Sequence, residues 1–259
     1  MSRSRLARTF GERAPNAGAA LWLYLFLRAQ RRRFTRAGRD DRDVRELALP
    51  TPDGRQLMLR DHDLSEVRLE SGPVVASQKY EELVPLLDRV RALRAERVCE
   101  IGTAAGGTLY LLTRVSAPEA LLVSIDLAIP AHTRATRARF ARAGQRLVSI
   151  EGDSHDVETQ QRVERLLAGA KLDVLFIDGD HSYEGVRADF ELYSPLVRSG
   201  GIIALHDVNE DFATRHGTPT ASVSGDVPRF WNELKRKYRS EELIADPGQD
   251  GFGIGIVYP

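Results

Sequence analysis

The chain has 259 residues, 42% of them hydrophobic, and its 37 Lys and Arg balance its 37 Asp and Glu. That length fits one large domain or a domain with an appendage, of ordinary globular composition. A single cysteine, Cys99, excludes an internal disulfide and fits a reducing compartment.

The even balance hides an asymmetry. Residues 1–39 contain ten arginines and one acid, Glu12. Residues 1–70 are expected to form an arginine-rich N-terminal appendage, a helix and a β-hairpin, ahead of the main domain at 71–259. The apolar run at 17–27 falls short of the ~20 residues a spanning helix needs. Arg28 and the arginines at 31–33 follow it with no small-residue cleavage site, so a cytoplasmic protein is expected. Residues 21–27 are apolar on every helical face. One reading is a helix docked on the body or on a second copy in a homo-oligomer. The other is an interfacial anchor in peripheral contact with a membrane. No nucleic-acid-binding motif accompanies the arginines, so nucleic acid is not an expected partner.

Residues 46–60 alternate around Pro52-Asp53-Gly54, which predicts a hairpin. A loop follows near 71–73. Apolar spacing at Leu83, Leu86, Leu87, Val90 and Leu93 predicts a helix over 80–93. Strands are then expected at 98–101, 121–125, 147–150, 174–177 and 202–205. Helices are expected between them at 108–115, around Arg134–Arg142, at 157–167 and at 184–193. Residues 209–226 read as a polar loop or lid, 227–238 as a helix, and 243–245 with 253–257 as a final strand pair. The pattern predicts an α/β fold, doubly wound and Rossmann-like. Its seven-stranded sheet is mostly parallel, with an antiparallel C-terminal strand.

The first of these strands runs Val98-Cys99-Glu100-Ile101 into the turn Gly102-Thr103-Ala104-Ala105-Gly106. In such sheets ligands bind beyond the carboxyl ends of the strands. Acid or glycine stands at each of those ends: Glu100 with Gly102, Asp126, Asp153, Asp178 and Asp207. A dinucleotide turn needs G-x-G-x-x-G to bring amides to a pyrophosphate. Here Ala104 replaces the second glycine, and Glu100 repels phosphate. A ligand with an ammonium group and no phosphate suits the turn better, and S-adenosylmethionine is one. Asp126 lies at the spacing of a ribose-binding acid. An NAD-dependent oxidoreductase and a non-catalytic cofactor-fold binding protein remain the alternatives.

The run from Glu100 to Thr108 resembles the first motif of class I S-adenosylmethionine-dependent methyltransferases. Asp178-Gly179-Asp180-His181-Ser182-Tyr183-Glu184-Gly185, with Gly200-Gly201 leading to His206-Asp207, is more specific. It resembles the metal-dependent O-methyltransferase branch, nearest the cephalosporin-hydroxylase-like and macrolide-sugar O-methyltransferases. The resemblance spans about residues 75–259. It implies methyl transfer to a hydroxyl of a small molecule, a glycosyl or natural-product acceptor. It implies that Glu100, Gly102, Thr103 and Gly106 border the methionine part of S-adenosylmethionine. Asp126 would bind the ribose, and Asp153 and Ser154 would lie beside the adenine. Asp178, His206 and Asp207 would hold a divalent metal, magnesium in the first instance. Magnesium prefers oxygen ligands, so the imidazole of His206 points to a softer ion or to none. His181 would be the general base, working with Asp178. Its structural alternative is a cap on the following helix. Asp180 reads as a turn former, and Cys99 as a small buried apolar residue.

Overall fold

The computed structural model describes the backbone of residues 46–50, 56–60, 65–69 and 72–76, and residues 78–259 except 130–132, 135–136 and 221. The expected N-terminal helix, with its membrane and oligomer readings, lies outside the described residues. So does the hairpin tip at 52–54. Among the described residues no helix is long and apolar enough to cross a membrane.

Residues 44–259 form one compact unit with two sheets. The first is an antiparallel meander of β1 (Glu46–Pro50), β2 (Gln56–Arg60), β3 (Ser65–Leu69) and β4 (Gly72–Ala76). The expected hairpin is β1–β2, with Glu46 opposite Arg60 and Pro50 opposite Gln56. Of the loop expected around 71–73, Gly72 and Pro73 instead belong to β4, with Leu69 paired to Gly72.

Helix α1 (Tyr80–Leu93) leads into the second sheet, whose elements follow in alternation. They are β5 (Arg97–Ile101), α2 (Gly107–Val115), β6 (Leu121–Asp126), β7 (Arg146–Glu151), α3 (Val157–Leu167) and β8 (Leu172–Ile177). Then come α4 (Tyr183–Tyr193), β9 (Val197–His206), α5 (Phe212–His216), α6 (Val227–Lys237), β10 (Arg239–Leu243) and β11 (Ile254–Tyr258). The strand order is β10-β11-β9-β8-β5-β6-β7, which gives the expected seven strands. Only β11 is reversed, pairing antiparallel with both β9 and β10.

Alternate residues of each strand face opposite cores, the period-two rule of a sheet covered on both sides. Val98, Leu122, Val174 and Ile256 pack with Leu83, Leu86 and Val90 of α1 and Leu109 and Leu112 of α2. Cys99, Val123, Leu175 and Val257 pack with Val163 of α3, Phe190 of α4 and Trp231 of α6. Cys99 is fully buried, and burial pushes its thiol pKa upward, which fits the expected inert role.

The edge strand β10 lies earlier than expected. Arg239-Ser240-Glu241-Glu242 is polar, and edge strands carry such residues without an alternating apolar face. Strand β9 begins five residues before the expected apolar run, through Gly200 and Gly201. The added length lets Val197 pair with Leu172 across an irregularity in the register.

Strand β5 lies between β6 and β8, so the chain reverses its direction of travel across the sheet beside β5. That is the topological switch point, where open α/β sheets form their ligand crevice. The ends of β5 and β8 meet there: the Asp178 amide donates to the Ile101 carbonyl at 2.8 Å.

Candidate active site

The glycine turn after β5 is shaped by close backbone approach. Gly102 has φ +82°, and a Cβ there would stand 1.9 Å from the Asp178 carbonyl oxygen. Gly106 has φ +88°, and a Cβ there would meet the Phe140 ring at 2.9 Å. Between them Ala104 also has positive φ, 45°. Its amide is turned to donate to Asp126 Oδ2 at 2.7 Å, while Asp126 Oδ1 accepts from Ala128 N at 3.1 Å. These bonds orient the acid at the end of β6, although burial pushes its carboxyl pKa upward. Glu100 is buried beneath the turn, and its Oε2 has no hydrogen-bond partner among the described residues, nor has Thr103 Oγ1. Burial, with Asp178 nearby, raises the Glu100 carboxyl to about 8. Arg137 crosses the turn, donating Nη2 to the Ala104 carbonyl.

Across the crevice, Asp178 ends β8 and His206-Asp207 ends β9. Gln78 Nε2 donates to Asp178 Oδ2 at 2.8 Å. His206 Nδ1 lies 3.1 Å from Asp178 Oδ1 and 3.2 Å from Asp207 Oδ2. Its Nε2 is buried with no hydrogen-bond partner among the described residues. His181 Nε2 lies 3.5 Å from Asp178 Oδ1. His181 Nδ1 is 2.7 Å from the Val223 carbonyl and 3.6 Å from Asp207 Oδ2. A carbonyl only accepts, so the proton of a neutral His181 sits on Nδ1 and the lone pair on Nε2, toward Asp178. Ligand atoms of Asp178, His181 and Asp207 lie within 4.8 Å of one another.

Charge is shared across this cluster. Burial favours neutral Asp178, but His206 and His181 outweigh it and hold its carboxyl well below the usual range. Burial likewise opposes charge on the rings. The carboxylates of Asp178 and Asp207 nevertheless lift His181 to about 9 and His206 well above its ordinary value.

The helix after His181 is capped by Ser182, whose Oγ accepts from Gly185 N at 3.1 Å. His181 is therefore not the cap. Asp180 Oδ1 accepts from Ser182 N at 2.8 Å, the turn-forming role expected of it. Residues 209–226 contain α5, and they also build on His181 directly. Its carbonyl accepts from Asp226 N at 2.8 Å, and a Cβ on Gly225 would stand 2.4 Å from that carbonyl.

The expected adenine-side residues follow β7. Asp153 Oδ1 accepts from His155 N at 2.9 Å, and the Ser154 carbonyl accepts from Tyr193 OH at 2.9 Å. His155 is half-buried, with Nε2 3.4 Å from Asp189 Oδ1 on α4. Asp189 holds the His155 ring at about 9 against desolvation, and burial raises Asp189 itself. A histidine raised in the folded state stabilises fully below its unfolded value of ~6.5, and the gain is lost as pH rises through the folded value. Stability is therefore expected to fall between pH ~6.5 and ~9, and His155→Gln to flatten that decline in urea titrations. An unchanged slope in the variant would remove the ion pair as its cause.

The structure thus brings Glu100, Gly102, Thr103, Gly106 and Asp126 to one wall of the crevice and Asp178, His181, His206 and Asp207 to the other. Asp153 and Ser154 follow β7, beyond β6. Sequence reading missed Gln78, Arg137 and the Val223 carbonyl. Gln78 precedes an ordinary amphipathic helix, Arg137 is one of four arginines between 134 and 142, and a backbone carbonyl has no residue-type signal.

Residues 99–208 match the family described as "Methyltransferase domain". The chain is 26% identical over 178 residues to the catechol O-methyltransferase of Mycobacterium tuberculosis, covering 64% of this chain and 74% of that protein. It is 32% identical over 114 residues to an uncharacterized protein of Acanthamoeba polyphaga mimivirus, about half of whose length (51%) it spans. Its fold superposes with a TM-score of 0.53 on an O-methyltransferase from Bacillus cereus in complex with SAH. That likeness covers 68% of this chain and 80% of the other, at 22% identity. Residues 99–208 thus match a methyltransferase-domain family, and the fold is the one seen in the Bacillus cereus O-methyltransferase.

Proposed function

We propose that this protein methylates a hydroxyl group of a small molecule, a glycosyl or natural-product acceptor, with assistance from a divalent ion. The observation that carries this reading is the convergence of two carboxylates and two imidazoles on the crevice opposite the glycine turn. The turn supports S-adenosylmethionine as donor. Glycines 102 and 106 let the turn close onto Asp178 and Phe140, and Glu100 Oε2 and Thr103 Oγ1, without partners among the described residues, are polar groups that the methionine end can use. Asp126, oriented by two amides, would take the ribose hydroxyls, and Asp153 with Ser154 would flank the adenine.

The acceptor oxygen would attack the methyl carbon as the carbon–sulfur bond breaks. The electron pair stays on sulfur, and S-adenosylhomocysteine leaves. The carboxylates that lift His181 to about 9 are also those that would hold the ion; with their charge so taken up the ring would be neutral, and Nε2, turned away from the Val223 carbonyl, would take the acceptor proton. Asp178 holds that ring in place. The donor set, two carboxylates with an imidazole, fits a divalent ion that tolerates nitrogen. Asp178, Asp207 and His206 would hold it. Bound there, such an ion lowers the pKa of the acceptor hydroxyl.

Manganese binding followed by electron paramagnetic resonance, alongside turnover, separates these roles. His206→Ala is expected to weaken manganese binding about 10–100-fold with S-adenosylhomocysteine affinity unchanged. His181→Ala is expected to leave manganese binding intact and lose turnover. The opposite pattern would exchange the two histidines. Wild-type protein that binds no manganese and is unaffected by chelator would remove the ion from the mechanism.

A further inference from the structure

Gln78 is 2% exposed and bridges the two sides of the crevice. Its Oε1 accepts from Thr108 Oγ1, on the second residue of α2, at 2.6 Å. Its Nε2 donates to Asp178 Oδ2 at 2.8 Å. A buried amide is costly unless bonded. Here one end is held by the helix that follows the glycine turn, and the other by the acid that ends β8. We propose that Gln78 is a positioning residue. It fixes the Asp178 carboxylate so that Oδ2 is held and Oδ1 stays turned to His181 and His206, and it ties that orientation to the donor-side helix.

The segment around Gln78 is built to hold that position. Glu82, buried in the first turn of α1, accepts from Gln249 Nε2 at 2.6 Å and from Gly253 N at 3.0 Å. Lys79 Nζ donates to Gln249 Oε1 at 3.0 Å. The loop so fastened carries Phe252, whose ring meets the His206 ring edge-on with centroids 6.0 Å apart. Residues 78–82 therefore anchor the loop carrying Gln249 and Phe252 and, through Gln78, the orientation of Asp178. A carboxylate with one oxygen committed has one rotamer to offer, whereas a free one swings between its partners.

This inference rests on Asp178 serving the reaction, and the experiment separates the two. Gln78→Met keeps length and bulk and removes the hydrogen bonds to Asp178 and Thr108. It is expected to lower kcat about 10–100-fold, with S-adenosylhomocysteine affinity by calorimetry within ~3-fold of wild type. Thr108→Val reads the same relay from its other end and is expected to lower kcat by about 3–10-fold. In the double variant the losses should fall short of the product of the single ones, because both break one network. A Gln78→Met kcat within about threefold of wild type would overturn the proposal. So would affinity and kcat falling together, which would make Gln78 part of the cofactor pocket, or fully multiplicative losses. If Gln78→Met does not fold, Thr108→Val decides, since an unchanged kcat there leaves no relay. Asp178→Ala run in parallel distinguishes the premise: full activity in that variant removes Asp178 from the reaction, not Gln78 from its network.

Discussion

Replacing Asp178 with alanine is expected to lower methyl transfer by about three orders of magnitude while S-adenosylhomocysteine still binds. The size follows from what the carboxylate touches. Its Oδ1 faces His206 Nδ1 at 3.1 Å and His181 Nε2 at 3.5 Å, and its Oδ2 accepts from Gln78. Removing it leaves two buried rings with Asp207 as their one remaining shared carboxylate and takes one oxygen from the proposed ion. His181→Ala removes only the proton acceptor, and general-base losses run to ~10²–10⁴. The two together should cost less than the product of the single losses, since residues that act as a unit are not additive. Single-turnover kinetics with saturating donor checks this. Near-normal turnover in both variants would place the chemistry elsewhere.

Gly102→Ala is expected to be the most damaging single methyl group in the crevice. The added Cβ would lie 1.9 Å from the Asp178 carbonyl oxygen, a backbone atom that cannot swing aside. Two costs coincide. Left-handed φ in a residue with a Cβ costs ~1–3 kcal/mol, and forcing atoms into a packed site costs about 1–3 kcal/mol more. Gly169 provides the control. Its φ is +84°, against +82° at Gly102, but a Cβ there meets nothing within 4 Å. Gly169→Ala should therefore show the backbone cost alone, ~1–3 kcal/mol, in urea unfolding. Gly102→Ala should show that cost plus separation of the β5 and β8 ends, read as loss of S-adenosylhomocysteine binding. Equal destabilisation by the two variants would mean that the crevice yields more readily than its backbone contacts imply.

Much of this molecule was legible in its sequence because the parallel strands are buried on both faces. Such strands show no alternation of apolar and polar residues. Continuous apolar runs such as Val174-Leu175-Phe176-Ile177 end abruptly in acid and glycine, and those ends are the crevice. The wall formed by Glu100, Gly102 and Asp126 was readable from spacing, and the opposite wall from the Asp178–His181 and His206-Asp207 motifs. Three things were not. The polar edge strand β10 has no apolar alternation to announce it. The β3–β4 hairpin hides in a stretch that reads as a loop around Gly72-Pro73. Gln78 and the Val223 carbonyl matter through contacts at sequence separations of 100 and 42 residues. No local pattern records such contacts, because only the closed sheet brings them together.

On this account the crevice moves a methyl group from S-adenosylmethionine to an acceptor oxygen through Asp178 and His181. Mass spectrometry of hydroxylated acceptors, incubated with donor bearing a trideuteromethyl group, tests it most directly. The predicted result is the labelled methyl on an acceptor oxygen, matched by release of S-adenosylhomocysteine, in wild-type protein and its loss in Asp178→Ala. Label on carbon or nitrogen in place of oxygen, or equal labelling by Asp178→Ala, would contradict it.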